Sequence, residues 1–355
     1  MRVSRLVSRA ASSMPTTELR LTSVLPSAMH AIHGTPAVLL SRLTAELGIG
    51  DGKIVAKLEY LSPGFSKKDR IARQMVEEAL ASGSLRAGQP VLELTSGNTG
   101  TGLAITCACL GHPFVAVMSR GNSPERARMM RALGAEVILV DQCTDSAPGQ
   151  VSGDDLARVF EVAERVVAER GAFRADQFEL LGNFRAHHEH TGPELLRQAE
   201  GSGLSIDAWV DFVGSGGTYA GVTAALREAR GEAVRCFVVE PEGSAVLAAA
   251  ASGASEKGEA SASAPHKIQG GGYSMARLTQ LATSMPPDGY LTVSSEVALQ
   301  TSRDLARLEG IFAGFSGGAN VAAAVELLRG PHRGGTVACV ICDSGLKYLS
   351  TDLWE

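Results

Sequence analysis

The chain has 355 residues, 45% of them hydrophobic and 20% charged, with a formal net charge of −5. That length suits about two domains, and the charge leaves no basic field for nucleic acid or an anionic membrane surface. No apolar run approaches the roughly 18 residues that a bilayer-spanning helix needs, and the abundant glycine with few aromatics suits an α/β protein with tight strand-to-helix turns.

Residues 1–17 carry Arg2, Arg5 and Arg9, several serines and no acid before Glu18. Such a stretch reads either as an organelle transit peptide or as a disordered leader. Residues 1–25 are therefore set aside from the fold, and the location is cytoplasmic, or mitochondrial if the leader is a transit signal. From residue 53 strands and helices alternate. KIVAKLEYL (53–61) reads as a strand and Lys68 to Ala81 as a helix ending near Gly83. Short apolar strands follow at 90–95, 113–119 and 135–141, the last two separated by a helix that Pro124 opens and Gly134 closes. The second half repeats the rhythm, with strands at 208–214, 234–240 and 336–343, and helices after Gly217, around TSRDLARLEG and after Ser316. Strand alternating with helix implies parallel sheets covered by helices. ASGASEKGEASASAP (251–265) reads as a flexible surface loop.

The six cysteines read as free thiols in a reducing compartment. Cys339 and Cys342 form C-x-x-C, but within an apolar strand an odd offset sends the two side chains to opposite faces. His187, His188 and His190 form H-H-E-H, read as a polar helix face and not as a metal site, since helix phase scatters the rings.

Five segments carry chemistry. SPGFSKKDR (62–70) makes a turn from which Ser66 can cap a helix that starts with Lys67, Lys68 and Asp69; two solvated lysines are the plain alternative. TSGNTGTG (95–102) lies between a strand and a helix, where backbone N–H groups and the side chains of Thr95, Ser96, Asn98 and Thr99 could hold a carboxylate. GSGGT (Gly214, Ser215, Gly216, Gly217, Thr218) also follows a strand and suits a compact phosphate cup. Its rival is a dinucleotide fingerprint, with Glu240 about 24 residues on as the ribose acid; Tyr219 at the third glycine position weighs against it. AGFSGGAN (313–320) and DSGLKYLST (343–351) complete the set, all five expected beyond the carboxyl ends of strands.

These segments, with GTP (34–36), KLE (57–59), TGPE (191–194) and HKIQG (266–270), resemble the cysteine synthase (O-acetylserine sulfhydrylase) and cystathionine β-synthase family of fold-type II pyridoxal-phosphate (PLP) enzymes, cysteine synthase being the nearer. The resemblance implies two parallel-sheet α/β domains with the cofactor in the cleft between them. Residues 70–180 would form the smaller domain, and 26–69 plus 181–355 the larger, phosphate-binding one. Lys68 would carry PLP and act as the catalytic base, with Asn98 beside the 3′-oxygen, Gly214 to Thr218 around the phosphate and Ser316 at the ring nitrogen. Thr95, Ser96, Thr99 and Gln177 would bind the substrate carboxylate, and Gly270 would lie in a closing segment. No metal is implied.

The implied reaction is β-replacement on O-acetyl-L-serine with sulfide, giving L-cysteine and acetate through an α-aminoacrylate. Serine, O-phosphoserine or another nucleophile, β-elimination, a non-catalytic paralogue and a nicotinamide dehydrogenase are the alternatives. The partners are a small amino acid, a small nucleophile and a second copy in a homodimer. Ser62, Phe65, Leu180-Leu181, Gly317 and Tyr273-Ser274-Met275 depart from the family pattern, and Phe65 is expected to narrow the pocket. The chain's end soon after Thr351 disfavours a cystathionine β-synthase with a regulatory tail.

Overall fold

The computed structural model describes residues 24–95, 97–143, 153–253, 264, 266–273, 275–283 and 286–355. Most of the leader, Ser96, Ser274 and positions 254–263 and 265 of the expected surface loop lie outside them. The strands form two sheets. The larger runs β1 (Ala37–Leu39), β2 (Lys53–Leu58), β10 (Thr336–Ile341), β7 (Ala208–Phe212), β8 (Arg235–Pro241), β9 (Gly289–Val293). The smaller runs β5 (Glu136–Val140), β4 (Phe114–Ser119), β3 (Val91–Leu94), β6 (Phe173–Arg174). Among the described residues only β1 pairs antiparallel with its neighbouring strand; the other strand pairings are parallel.

The apolar runs explain this order. Every residue of β4, β7 and β10 is buried, as a parallel strand covered on both faces requires. Ile54, Val210, Phe315 and Cys339 pack on one face of the larger sheet, and Val55, Trp209, Tyr219 and Cys342 on the other. Cys339 and Cys342 therefore diverge as their spacing implies, and all six cysteines are free.

Two expected elements shift. The strand expected over 53–61 stops at Leu58, and Glu59–Leu61 turn as a 3-10 helix. The reason is polar: Glu59 bends inward to accept from Arg70 Nη2 at 2.8 Å and Thr35 Oγ1 at 2.6 Å. The helix expected around TSRDLARLEG begins earlier, as Ser295–Asp304, with Ser294 Oγ capping Val297 N at 3.2 Å, and ends in a π-helical turn at Leu305–Glu309.

The strand ends position the site. The segments after β2, β3, β7 and β10 leave the carboxyl ends of those strands, as expected. AGFSGGAN does not follow a strand. It comes from the π-helical turn and is brought in by an isolated bridge between Ala313 and Ser344. Gly102 matters to the geometry: a Cβ there would stand 3.0 Å from the Lys68 carbonyl oxygen and Asp69 Cα, so glycine lets the helix Asn98–Leu110 press on the start of the helix Lys68–Ser82 without either backbone giving way by a few tenths of an ångström.

Candidate active site

Lys68 opens the helix Lys68–Ser82, at the point where the chain crosses from β2 of the larger sheet toward β3 of the smaller. Its Nζ donates to Gln177 Oε1 at 2.9 Å and Ser215 Oγ at 3.1 Å, two neutral acceptors. Burial, reinforced by the positive charge of Lys67, pulls its pKa down to about 7. A substantial fraction is thus free amine near neutrality, the form that attacks a carbonyl or removes a proton. The cap expected from Ser66 is not made; the Ser66 hydroxyl is buried and finds no partner among the described residues. The lysines are not solvated either, since Lys67 is buried against Asp211.

The Gly214–Thr218 turn leads from β7 into the helix Gly217–Arg230. Gly216 takes φ +88°, and a Cβ on Gly217 would stand 2.0 Å from Asn183 Oδ1. The first N–H groups of that helix have no intrahelical acceptor, so the turn offers donors to an anion. Asn183 Nδ2 donates to Ser215 Oγ at 2.8 Å, and Thr218 Oγ1 lies 3.2 Å from His187 Nε2. His187 is fully buried, and desolvation, followed by the charges of Lys67 and Arg70, keeps its ring neutral. The three histidines do not share a polar face as expected: His188 meets Glu228 and His190 lies tilted against His33 with centroids 4.0 Å apart. His187 is the member that reasoning from sequence missed as part of the site.

The dinucleotide alternative loses its acid. Glu240 accepts from the backbone N–H groups of Leu247 and Ala248 at 2.7 and 2.9 Å, and so caps a helix. Tyr219 is buried with its hydroxyl on the Cys236 carbonyl, filling the place of a third glycine.

Lys68, Asn98, Thr99, Gln177, Gly270 and Ser316 line one cavity. Thr99 Oγ1 donates to Gln177 Oε1 at 2.8 Å. Asn98 Nδ2 donates to Asp343 Oδ2 at 2.7 Å, and its Oδ1 accepts from Lys347 Nζ at 2.6 Å. Thr95 is turned into its own loop, its hydroxyl accepting from Gly97 N and Gly100 N at 3.0 Å each. Ser96 lies outside the described residues. Gly270 takes φ +97°, and its carbonyl would stand 2.3 Å from a Cβ on Gly214, so the closing segment lies directly on the glycine turn.

Three other residues of the cavity lining bear on its chemistry although reasoning from sequence assigned them no site role. Lys67 is one. Arg126 is another, donating to Gln269 Oε1, with its guanidinium 5.5 Å from the Tyr348 ring centre and its stem against Gly97. Its only signal was the charged stretch ERARMMR. Tyr273 is the third, edge-on to Phe178. Phe65 does the opposite of what its position suggested. Its backbone takes φ +60°, the left-handed region that explains why glycine is usual there, and the ring is 43% exposed and absent from the cavity lining.

A cavity holding an amine that is readily uncharged near neutrality, a glycine turn that admits no Cβ at a helix start, and the neutral hydroxyl of Ser316 fits a phosphorylated pyridine aldehyde. Set between two parallel α/β sheets, it defines a fold-type II PLP enzyme. The chain belongs to the pyridoxal-phosphate dependent enzyme family, whose profile matches residues 28–343. It is 37% identical to the cysteine synthase of Staphylococcus aureus over 91% of this chain and 95% of the relative. The O-ureido-L-serine synthase of Streptomyces lavendulae is 36% identical over 93% and 92% of the two chains. Among solved structures, cysteine synthase from Entamoeba histolytica superposes with a TM-score of 0.80 at 30% identity, covering 97% of this chain and 93% of that one. Among the described residues no helix is long and apolar enough to cross a membrane.

Proposed function

We propose that this chain carries out β-replacement on O-acetyl-L-serine with sulfide, releasing acetate and forming L-cysteine. The observation that supports it most is the Lys68 amine, which meets the glycine turn through Ser215 and the Thr99–Gln177 pair through Gln177 Oε1. Bound PLP supplies an electron-withdrawing ring that acidifies the substrate α-carbon and lets a β-substituent leave.

The residues do the rest. Gly214 to Thr218 would hold the phosphate, Asn98 would serve the ring oxygen and the Ser316 hydroxyl the ring nitrogen. Thr95, Ser96, Thr99 and Gln177 would bind the substrate carboxylate, Thr99 and Gln177 from the cavity lining and Thr95 by bracing its loop. Lys68 Nζ takes the proton from the α-carbon. The segment bearing Gly270 and Tyr273 covers the pocket and excludes water. Residues 70–180 are read as the smaller of two domains and 26–69 with 181–355 as the larger. A homodimer is the assembly, in the cytoplasm or, should the leader direct it there, the mitochondrion.

The test is to incubate purified enzyme with O-acetyl-L-serine and sulfide and to quantify cysteine and acetate. Equal yields of the two support the reading. Turnover of O-phosphoserine or serine but not of O-acetylserine would overturn the donor. The O-ureido-L-serine synthase relative makes the nucleophile the second variable, so nitrogen and oxygen nucleophiles belong in the same assay.

A further inference from the structure

Two lysines stand side by side at the start of the helix Lys68–Ser82, and both line the cavity. One carboxylate serves them. Asp211, within β7 and 2% exposed, takes Lys67 Nζ on both oxygens, at 2.9 and 3.2 Å. Asn320 is fully buried; its amide donates to Asp211 Oδ1 at 3.4 Å and to the Val340 carbonyl at 2.8 Å. The Lys67 backbone N–H donates to the Cys342 carbonyl at 2.8 Å. The pair is thus clamped between β7, β10 and the helix that carries Ser316. Lys68 points the other way, to acceptors that carry no charge.

We propose that Asp211, by claiming Lys67, selects Lys68 as the nucleophilic amine of the site, making Lys67 and Asp211 positioning residues for the cofactor-bearing lysine. A buried ammonium persists only with an opposite charge against it. Asp211 makes that direct ion pair with Lys67; its charge also reaches Lys68, but burial and the Lys67 ammonium outweigh it there. Burial opposes charge on Lys67, but the carboxylate of Asp211 outweighs it and holds the ammonium above its ordinary range. That fixed positive charge, next in sequence to Lys68, makes a second ammonium costly. The other titratable groups facing Lys68 do not reverse this. Glu93 on β3 is driven toward its neutral acid by burial, Cys342 stays a thiol and His187 is neutral. Lys67 therefore works as a charge that is never used as a base.

The inference rests on Lys68 being the residue that PLP modifies, and the two can fail separately. Borohydride reduction of the holoenzyme and peptide mapping reads which lysine bears the cofactor. For the selection itself, the full-length chain freed of PLP with hydroxylamine is pulsed with trace acetic anhydride from pH 6 to 10, and acetyl groups at positions 67 and 68 are counted by mass spectrometry. In the wild type Lys68 should label at least tenfold faster than Lys67 at pH 8. In Asp211→Asn the ratio should fall at least fivefold, and in Lys67→Met the midpoint for Lys68 should rise by a pH unit or more as Asp211 turns to it. Lys67→Arg should keep the wild-type midpoint. Equal labelling of the two lysines in the wild type overturns the proposal without any variant, as does an unchanged ratio in a folded Asp211→Asn protein. Should Asp211→Asn fail to fold, the charge-free Lys67→Met/Asp211→Leu protein takes its place: a Lys68 midpoint unchanged from wild type contradicts the proposal, and a rise supports it.

Discussion

Lys68 Nζ and Ser215 Oγ are 147 positions apart in the chain and 3.1 Å apart in the fold. The contact joins the start of a helix that packs on the smaller sheet to the glycine turn of the larger one, so the amine and the phosphate cup report on the same closure. The consequences can be measured.

Gly217→Ala strikes the cup. The added methyl would stand 2.0 Å from Asn183 Oδ1, whose partner amide nitrogen holds Ser215. PLP affinity should fall about tenfold or more, ~1.4 kcal/mol, with the fold retained. Fluorescence titration of the cofactor-free chain with PLP, beside circular dichroism, checks this.

PLP capture by the cofactor-free chain should carry the pH signature of a depressed lysine. The neutral amine is the reactive form, and burial together with Lys67 puts half-ionisation at about 7. The rate should climb with pH through that value and level off by about pH 8. An ordinary lysine would keep accelerating toward about pH 10. Stopped-flow absorbance distinguishes the two. Stability has the matching sign: a lysine depressed in the fold binds more protons when unfolded, so this group's contribution rises between about pH 7 and 10.

Behind Lys68, Arg70 is held by two buried carboxylates. Its Nη1 and Nη2 donate to Glu194 at 2.9 and 2.8 Å, its Nη2 reaches Glu59 at 2.8 Å, and Glu194 also takes Lys57 Nζ at 2.8 Å. Arg70 and Lys57 hold the Glu194 carboxyl charged far below its ordinary range despite burial. Glu194→Gln leaves two buried cations facing one anion and should destabilise by about 3–5 kcal/mol. Urea unfolding should show the loss as a lowered midpoint with an unchanged slope.

Arg126 joins the rim of the cavity to the closing segment through Gln269. Arg126→Met should raise KM for the amino-acid donor severalfold while changing kcat less, because it loosens closure and leaves Lys68 in place. Steady-state kinetics at fixed nucleophile separate the two parameters.

Much of this site was legible in the sequence because it sits in short glycine-rich turns after apolar strands. Lys68, Asn98, Thr99 and the 214–218 turn announce themselves by residue type at such places, and the structure brings all of them to one cavity or its border. What the sequence hid is pairing at long range. Lys67 and Asp211 lie 144 positions apart, and neither segment says that it will meet the other. Arg126 was hidden because an arginine on a charged helix reads as solvated until the helix is docked. Phe65 misled because side-chain size was weighed where backbone φ decides. AGFSGGAN reached the site by a bridge to Ser344, which a strand-end rule cannot foresee.

The most direct measurement is to reduce the yellow holoenzyme with borohydride and sequence the cofactor-bearing peptide. The phosphopyridoxyl group should be found on Lys68, and Lys68→Ala should incorporate none. Recovery of the group on any other lysine, or its stable incorporation into Lys68→Ala at the wild-type level, would contradict the account.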